Sequence, residues 1–245
     1  MAGVAVIIPA KNEGERIAAT VTAALLIPGV DLVLVVDDGS TDDTATAAVA
    51  AGARLVVHPQ NRGKAAAMRS GGDAVAALDS SDDERALLFI DADLGRTAIH
   101  CAPLVGPVLA GLADMTIALL PPQHEVAGGR GRVVELATAG ISRATGWVAT
   151  QPLSGIRCLS RRAFETALPL AAGWGVETAL TIDLMRRGLR VEEVACDLQH
   201  RVTLDDLPGR LHRAAQYRDV VRALAVRGVI SVRPVRRTPI AVRRS

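Results

Sequence analysis

Aromatic side chains are nearly absent from this chain of 245 residues: one Tyr, two Phe and two Trp make up 2% of it. So few rings exclude a row of stacking platforms of the kind that tracks a polysaccharide or single-stranded nucleic acid, and no nucleic-acid partner is expected. The core must come from Ala, Val, Leu and Ile, and the 49% hydrophobic content suffices for one large domain or two intimate lobes. Cysteine is scarce as well. Cys101, Cys158 and Cys196 lie far apart with no C-x-x-C spacing, which argues against a disulfide scaffold or a zinc site and fits buried thiols in a reducing compartment. No basic region precedes the short N-terminal apolar run, so no signal peptide is expected. The apolar stretch 101–120 is interrupted by Pro103, Pro107 and Asp114 and reads as a core helix followed by a buried strand rather than a membrane span. These absences point to a cytoplasmic protein.

A G-x-G-x-x-G fingerprint is also missing. Even the Pro- and Gly-rich segment 121–131 lacks that spacing, and its composition is that of a loop that closes over a substrate. Net charge is only +2, but residues 201–245 hold eleven Arg against three Asp. A basic tail over 229–245 beside an acidic body admits peripheral contact with an anionic membrane surface.

What the chain does have is alternation. Short β-branched runs at 4–8, 32–36, 55–57 and 86–90 are each followed by polar residues and a helix-like segment, the pattern of an α/β fold with a largely parallel sheet. Ser40 reads as the cap of the second helix. A further strand-like run covers 194–198, and residues 210–227 form an amphipathic helix with Leu211, Ala214, Ala215, Val221, Leu224 and Ala225 on its inner face. In open parallel sheets ligands collect beyond the carboxyl ends of the strands, and Asp37, Asp38, Asp91 and Asp93 fall at such ends. Asp91-Ala92-Asp93 closes an apolar run. If extended, it presents both carboxylates on one side, where they can share a hard divalent cation such as Mg²⁺ or Mn²⁺.

Four ordered segments, Ile8-Pro9-Ala10-Lys11-Asn12-Glu13, Val36-Asp37-Asp38-Gly39-Ser40-Thr41-Asp42, Asn61-Arg62-Gly63-Lys64 and the D-A-D pair, together resemble the nucleotide-binding half of GT-A fold glycosyltransferases, especially the family-2 group. Farther on come Gly129-Arg130-Gly131-Arg132-Val133-Val134-Glu135, Gln151-Pro152-Leu153-Ser154-Gly155, Gly173-Trp174-Gly175-Val176-Glu177 and Gln199-His200-Arg201. These are similar to motifs of the glucosyl-3-phosphoglycerate synthases and their mannosyl relatives, and the likeness fades after about residue 225. The resemblance implies a single GT-A unit over 1–228, with a nucleotide-binding half at 1–100 and an acceptor half at 101–228. It also implies a nucleotide-diphosphate sugar donor, a small anionic acceptor, a divalent cation and retention of anomeric configuration. A homodimer is compatible with it.

Site roles follow from the same resemblance. Asp38 accepts from a nucleobase imide, with Pro9, Ala10, Asn12 and Glu13 lining base and ribose; uracil and guanine both offer that N–H. Lys64 meets the diphosphate or base, and Ala92, Leu153 and Gly155 complete the donor pocket. Asp93 and His200 hold the metal, with Asp91 assisting through ribose or water. Glu177 orients sugar hydroxyls, or acts as general base in an inverting reaction. Gly131 and Arg132 face the acceptor, since a guanidinium binds phosphate or carboxylate bidentately. Trp147 and Trp174 are expected to pack rather than to serve as sugar platforms, with Trp174 kept as a candidate by its closeness in sequence to Glu177. Departures are equally informative: Val134 and Val202 stand where polar groups for phosphoglycerate are expected, and Gly95 replaces a polar ligand after D-A-D. An inverting polyprenyl-phosphate-type transferase and an inactive nucleotide-sugar sensor are the alternatives. A sugar nucleotidyltransferase is disfavoured because its Gly- and Arg-rich loop after the first strand is missing.

Overall fold

The computed structural model describes residues 3–80, 83–121, 131–198 and 207–231, with side chains in the last segment from 213 onward. The first half runs β1 (Val4–Ala10), α1 (Gly14–Ala24), β2 (Val30–Asp37), α2 (Thr44–Ala50), β3 (Arg54–Val57), α3 (Lys64–Ala76) and β4 (Ala86–Phe89). A 3-10 segment, Gly95–Leu104, passes directly into α4 (Val105–Leu109) and then β5 (Met115–Leu119). After these come α5 (Arg132–Thr145), β6 (Arg157–Leu159), α6 (Arg161–Thr166), a 3-10 turn at Gly173–Gly175, α7 (Val176–Arg186), β7 (Val191–Ala195) and α8 (Leu207–Val226).

Among the described residues seven strands join one sheet in the order β3-β2-β1-β4-β6-β5-β7. β6 is antiparallel to both neighbours, and the remaining pairs are parallel. Helices cover both faces, which explains the unbroken apolar runs of the strands. On β1, Val4, Val6 and Ile8 enter the layer shared with α1, while Ala5 and Ile7 enter the layer shared with α3, α6 and α7. A third cluster holds α5, α7 and α8 together through Val133, Ala137, Ile141, Ile182, Val220 and Leu224. Trp147 packs between the second and third clusters. The three cysteines are free and buried; burial pushes the Cys158 thiol up to about 12 and the Cys196 thiol to about 11. No helix of the described residues is long and apolar enough to cross a membrane.

Three local expectations are corrected. The second helix begins at Thr44 with Asp43 before it, not at Ser40, whose hydroxyl instead accepts from Asn12 N–H at 2.9 Å. The strand expected over 194–198 is Val191–Ala195: its partner β5 ends at Leu119, so after one more ladder bond at Cys196 the chain turns away. In α8 the buried side centres on Val220, Ala223 and Leu224, and Ala214 is exposed. Apolar residues surround the C-terminal turns of that helix, so periodicity alone could not select its inner face.

Candidate functional site

In the order β2-β1-β4 the chain switches direction across the sheet between β1 and β4, which is where an open α/β sheet forms a crevice. The loops after β1 and β2 are stitched into one wall. Asn12 adopts a left-handed backbone with φ 55°, tolerable for an Asn, and its Oδ1 accepts from Thr41 N–H at 2.9 Å. Glu13 N–H donates to Thr44 Oγ1 at 2.8 Å and Gly14 N–H to Asp42 Oδ2 at 3.0 Å. Pro9 and Ala10 end β1 beside Val36 and Asp37 of β2, so four of the expected base-lining residues share this wall.

Asp37 and Asp38 are adjacent and buried, and each carboxylate is compensated by amides. Asp37 Oδ1 accepts from Ser40 N–H at 2.9 Å. Asp38 Oδ1 accepts from Arg62 N–H at 2.8 Å and lies 2.7 Å from His58 Nδ1, while Oδ2 accepts from Gly63 N–H at 2.8 Å. His58 Nε2 reaches Ser70 Oγ on α3 at 2.9 Å. Asp38 therefore anchors the loop that leads into α3, and three of a carboxylate's roughly four acceptor positions are used, leaving about one for a base imide. Burial alone would raise its pKa, but the His58 and backbone hydrogen bonds outweigh it and hold the carboxyl below the usual range. Because the folded value is depressed, its contribution to stability is complete above the ordinary aspartate value and is lost as pH falls through the folded value. The expected result in thermal scans is a gap in Tm between wild type and Asp38→Asn that is constant at neutral pH and closes below about pH 4. A gap independent of pH down to the acid transition would contradict it.

Across the crevice, β4 ends at Phe89 and the D-A-D segment is only partly extended: Ala92 and Asp93 already turn toward the 3-10 segment. This corrects the picture of an extended pair. Alternation survives nonetheless, since Ile90, Ala92 and Leu94 are buried while Asp91 and Asp93 are half-buried and face outward. Thr20 of α1 fixes the turn: its hydroxyl donates to Ala92 O at 2.8 Å and accepts from Gly95 N–H at 2.8 Å. Thr20 and His58 were not singled out from sequence, where a helical Thr and a lone His carry no visible signal.

The chemical centre is an ion array drawn from three distant segments. Lys64 Nζ lies 3.1 Å from Asp91 Oδ1 and 3.2 Å from Glu177 Oε1. Glu177, in the first turn of α7, is 6% exposed, whereas the Asp91 side chain is 41% exposed. Burial alone would make the Lys64 ammonium easier to deprotonate, but the Asp91 and Glu177 carboxylates reverse that and raise its value. Gly155 closes over the array: a Cβ there would sit 2.2 Å from Lys64 Nζ and 3.4 Å from Asp91 Oδ1. Lys64, Asp91, Glu177 and Gly155 are thus brought together. Leu153 lies on the same loop, packed against the third core cluster.

Trp174, 37% exposed, lies in the turn before α7, where its N–H donates to Asp219 Oδ2 of α8 at 3.1 Å. That turn tolerates no side chain at its glycines, because a Cβ on Gly173 or Gly175 would fall 2.1 Å or 2.6 Å from Asp219 atoms. Gly131 and Arg132 are exposed at the start of α5, with Val134 half-buried behind them. Residues 122–130, His200, Val202 and the tail from 232 lie outside the described residues. Asp91 and Asp93 offer the hard oxygen donors that Mg²⁺ and Mn²⁺ take, so the donor set fits such a cation. Among the described residues no group of three His, Cys, Asp or Glu is placed to hold a metal.

Residues 5–165, which include the loops walling this crevice after β1, β2 and β4, match the model of glycosyl transferase family 2. The chain belongs to that family. Glucosyl-3-phosphoglycerate synthase of Mycobacterium tuberculosis (strain ATCC 25618 / H37Rv) is 34% identical over 206 residues, covering 75% of this chain and 61% of the relative. The chain thus spans about three fifths of that relative's length. Glycosyltransferase AglJ of Haloferax volcanii is 28% identical over 199 residues, covering 78% of this chain and 61% of the relative. Among solved structures, the M. tuberculosis synthase in complex with phosphoglyceric acid superposes with a TM-score of 0.72 at 32% identity, covering 94% of this chain and 81% of that one. The same enzyme in complex with Mn²⁺, UDP-glucose and phosphoglyceric acid gives 0.71 at 32% identity, with the same coverage. Its GT-A architecture is shared by this family member.

Proposed function

We propose that the chain transfers a sugar from a UDP-sugar, UDP-glucose foremost, to a small anionic acceptor such as a glycerate derivative, using a divalent cation and retaining anomeric configuration. The observation that carries the reading is the Lys64–Asp91–Glu177 array beneath Gly155, together with relatives crystallised with Mn²⁺, UDP-glucose and phosphoglyceric acid or glycerol 3-phosphate. In this reading residues 1–228 act as one unit. The 9–13 and 38 wall takes base and ribose, Lys64 lies along the donor, and Arg132 takes the acceptor's anionic group.

Asp93, with Asp91 and His200, would hold Mg²⁺ or Mn²⁺, whose charge would offset that developing on the diphosphate leaving group. Glu177 Oε1 is engaged by the Lys64 ammonium, which favours a role in orienting sugar hydroxyls over that of a free general base. With retention, a leaving phosphate oxygen takes the acceptor proton on the same face, and no protein base is needed.

Turnover assays with UDP- and GDP-sugars, Mg²⁺ or Mn²⁺, and 3-phosphoglycerate, glycerate or glycerol 3-phosphate test the proposal, with product NMR reading the anomeric centre. The expected outcome is metal-dependent transfer from UDP-glucose with retention. Phosphoglycerate should be a poor acceptor, because Val134 and Val202 each forgo a hydrogen bond worth about 0.5–1.5 kcal/mol. Glu177→Gln should keep appreciable activity, whereas loss of a general base costs about 10²–10⁴-fold. Inversion accompanied by such a collapse would move the chain to the inverting branch; no turnover with any donor would favour a sensor.

A further inference from the structure

Arg157 is fully buried as the first residue of β6, between Phe89 of β4 and Ile117 of β5. An arginine in that position needs an acceptor for each of its N–H directions. Among the described residues no carboxylate lies within ion-pair distance; main-chain carbonyls and one hydroxyl take that place. Nε donates to Ser154 O at 2.8 Å and Nη2 to Pro152 O at 3.1 Å. On the opposite side Nη1 donates to Glu177 O at 3.0 Å and Thr181 Oγ1 at 2.9 Å. The Thr181 hydroxyl in turn donates to Glu177 O at 3.0 Å.

One rigid guanidinium thus spans two segments that also flank the ion array and meet the third core cluster through Leu153 and Ile182. The first is the 152–155 loop, whose Gly155 roofs Lys64; the second is the first turn of α7, which carries Glu177. Their ends are fixed elsewhere: Glu193 accepts from Thr150 and Gln151 N–H, and Gln151 bonds both N–H and O of Leu120. At the centre of the loop Arg157 holds the Pro152 and Ser154 carbonyls. Burial pulls the guanidinium down to about 10, with Glu177 and Glu193 partly opposing it, so the charge is held at a cost that a simple packing residue would not incur.

We infer that Arg157 is a positioning residue, one that sets the distance between the Gly155 roof and Glu177 and thereby the fit of the donor's sugar rather than of its nucleotide. The inference rests on the proposed donor reading for its consequence, but not for the bridge itself. A lysine could not replace it, since one ammonium cannot serve carbonyls on both sides of the strand.

The test compares wild type, Arg157→Gln and Thr181→Val by amide hydrogen exchange, and by calorimetry and turnover with UDP and UDP-glucose. In Arg157→Gln, exchange should accelerate about tenfold or more at both 153–155 and 177–181. The kcat should fall about 10²-fold while UDP affinity stays within about twofold, so that any gain of UDP-glucose over UDP disappears. Thr181→Val, which removes the bond from Arg157 and the one to Glu177 O but leaves the guanidinium's other bonds, should loosen 177–181 alone and lower kcat by about fivefold; it carries the test if the first variant does not fold. Exchange rising on only one side in Arg157→Gln, UDP and UDP-glucose weakening in proportion, or an unchanged kcat in the folded variants would each overturn the inference. If wild type binds no UDP, the donor proposal fails, and the exchange data alone decide the bridge.

Discussion

Asp93→Asn is expected to lower metal-dependent turnover by at least about 10²–10³-fold, the scale of removing a group that stabilises developing charge. Asp93 is half-buried, and Thr20 holds its turn through Ala92 O and Gly95 N–H. The substitution leaves that scaffold intact, so folding should be unaffected. UDP should bind the variant without metal nearly as it binds wild type, because in the proposed reading base and ribose meet the 9–13 and 38 wall instead. Paired calorimetry with and without Mn²⁺ separates the two contributions. An enhancement of UDP binding by Mn²⁺ equal in both proteins would remove Asp93 from the metal site.

Lys64→Met should cost both stability and activity. The ammonium is the shared partner of Asp91 and Glu177, and without it a carboxylate with only 7% of its side chain exposed faces a second one. Breaking a buried pair typically costs about 3–5 kcal/mol, and the low end applies because Asp91 is substantially exposed to solvent. A loss of about 3 kcal/mol corresponds to a fall in Tm of roughly 6–12 °C for a chain of this size. Adding Glu177→Gln to Lys64→Met should recover much of the stability but none of the turnover. Were the double variant no more stable than the single one, repulsion between the carboxylates would not be the cause.

Local chemistry was legible in the sequence where it had a local signature. The runs before Asp37 and Asp91 became β2 and β4, Lys64 opened α3, and Glu177 fell in the first turn of α7. Buried free cysteines and a packed Trp147 also agree with expectation. Relations between segments were not legible. Nothing local indicates that Lys64 meets Glu177, because the contact depends on β6 inserting between β4 and β5 and bringing α7 over the crevice. Arg157 did leave a trace, a cation inside the apolar run Ile156-Arg157-Cys158-Leu159, but its partners are main-chain carbonyls that no side-chain pattern records. Ser40 was misplaced for a similar reason. A hydroxyl that caps a helix and one that accepts from a neighbouring loop look the same in one dimension.

The clasp between Asp219 and the Gly173–Gly175 turn has a consequence for the order in which the molecule can be made. Strands β1 to β4 and their helices leave the ribosome early and can pair as a unit. The turn that launches Glu177 is bound at Trp174 N–H by a residue of α8, synthesised more than forty positions later. A nascent chain released before α8 would have the wall formed by the loops after β1 and β2 assembled while Glu177 still lacked this anchor. Late completion of the Glu177 side of the crevice is therefore written into the topology, and in a half-made chain the wall opposite would be in place before the ion array is anchored.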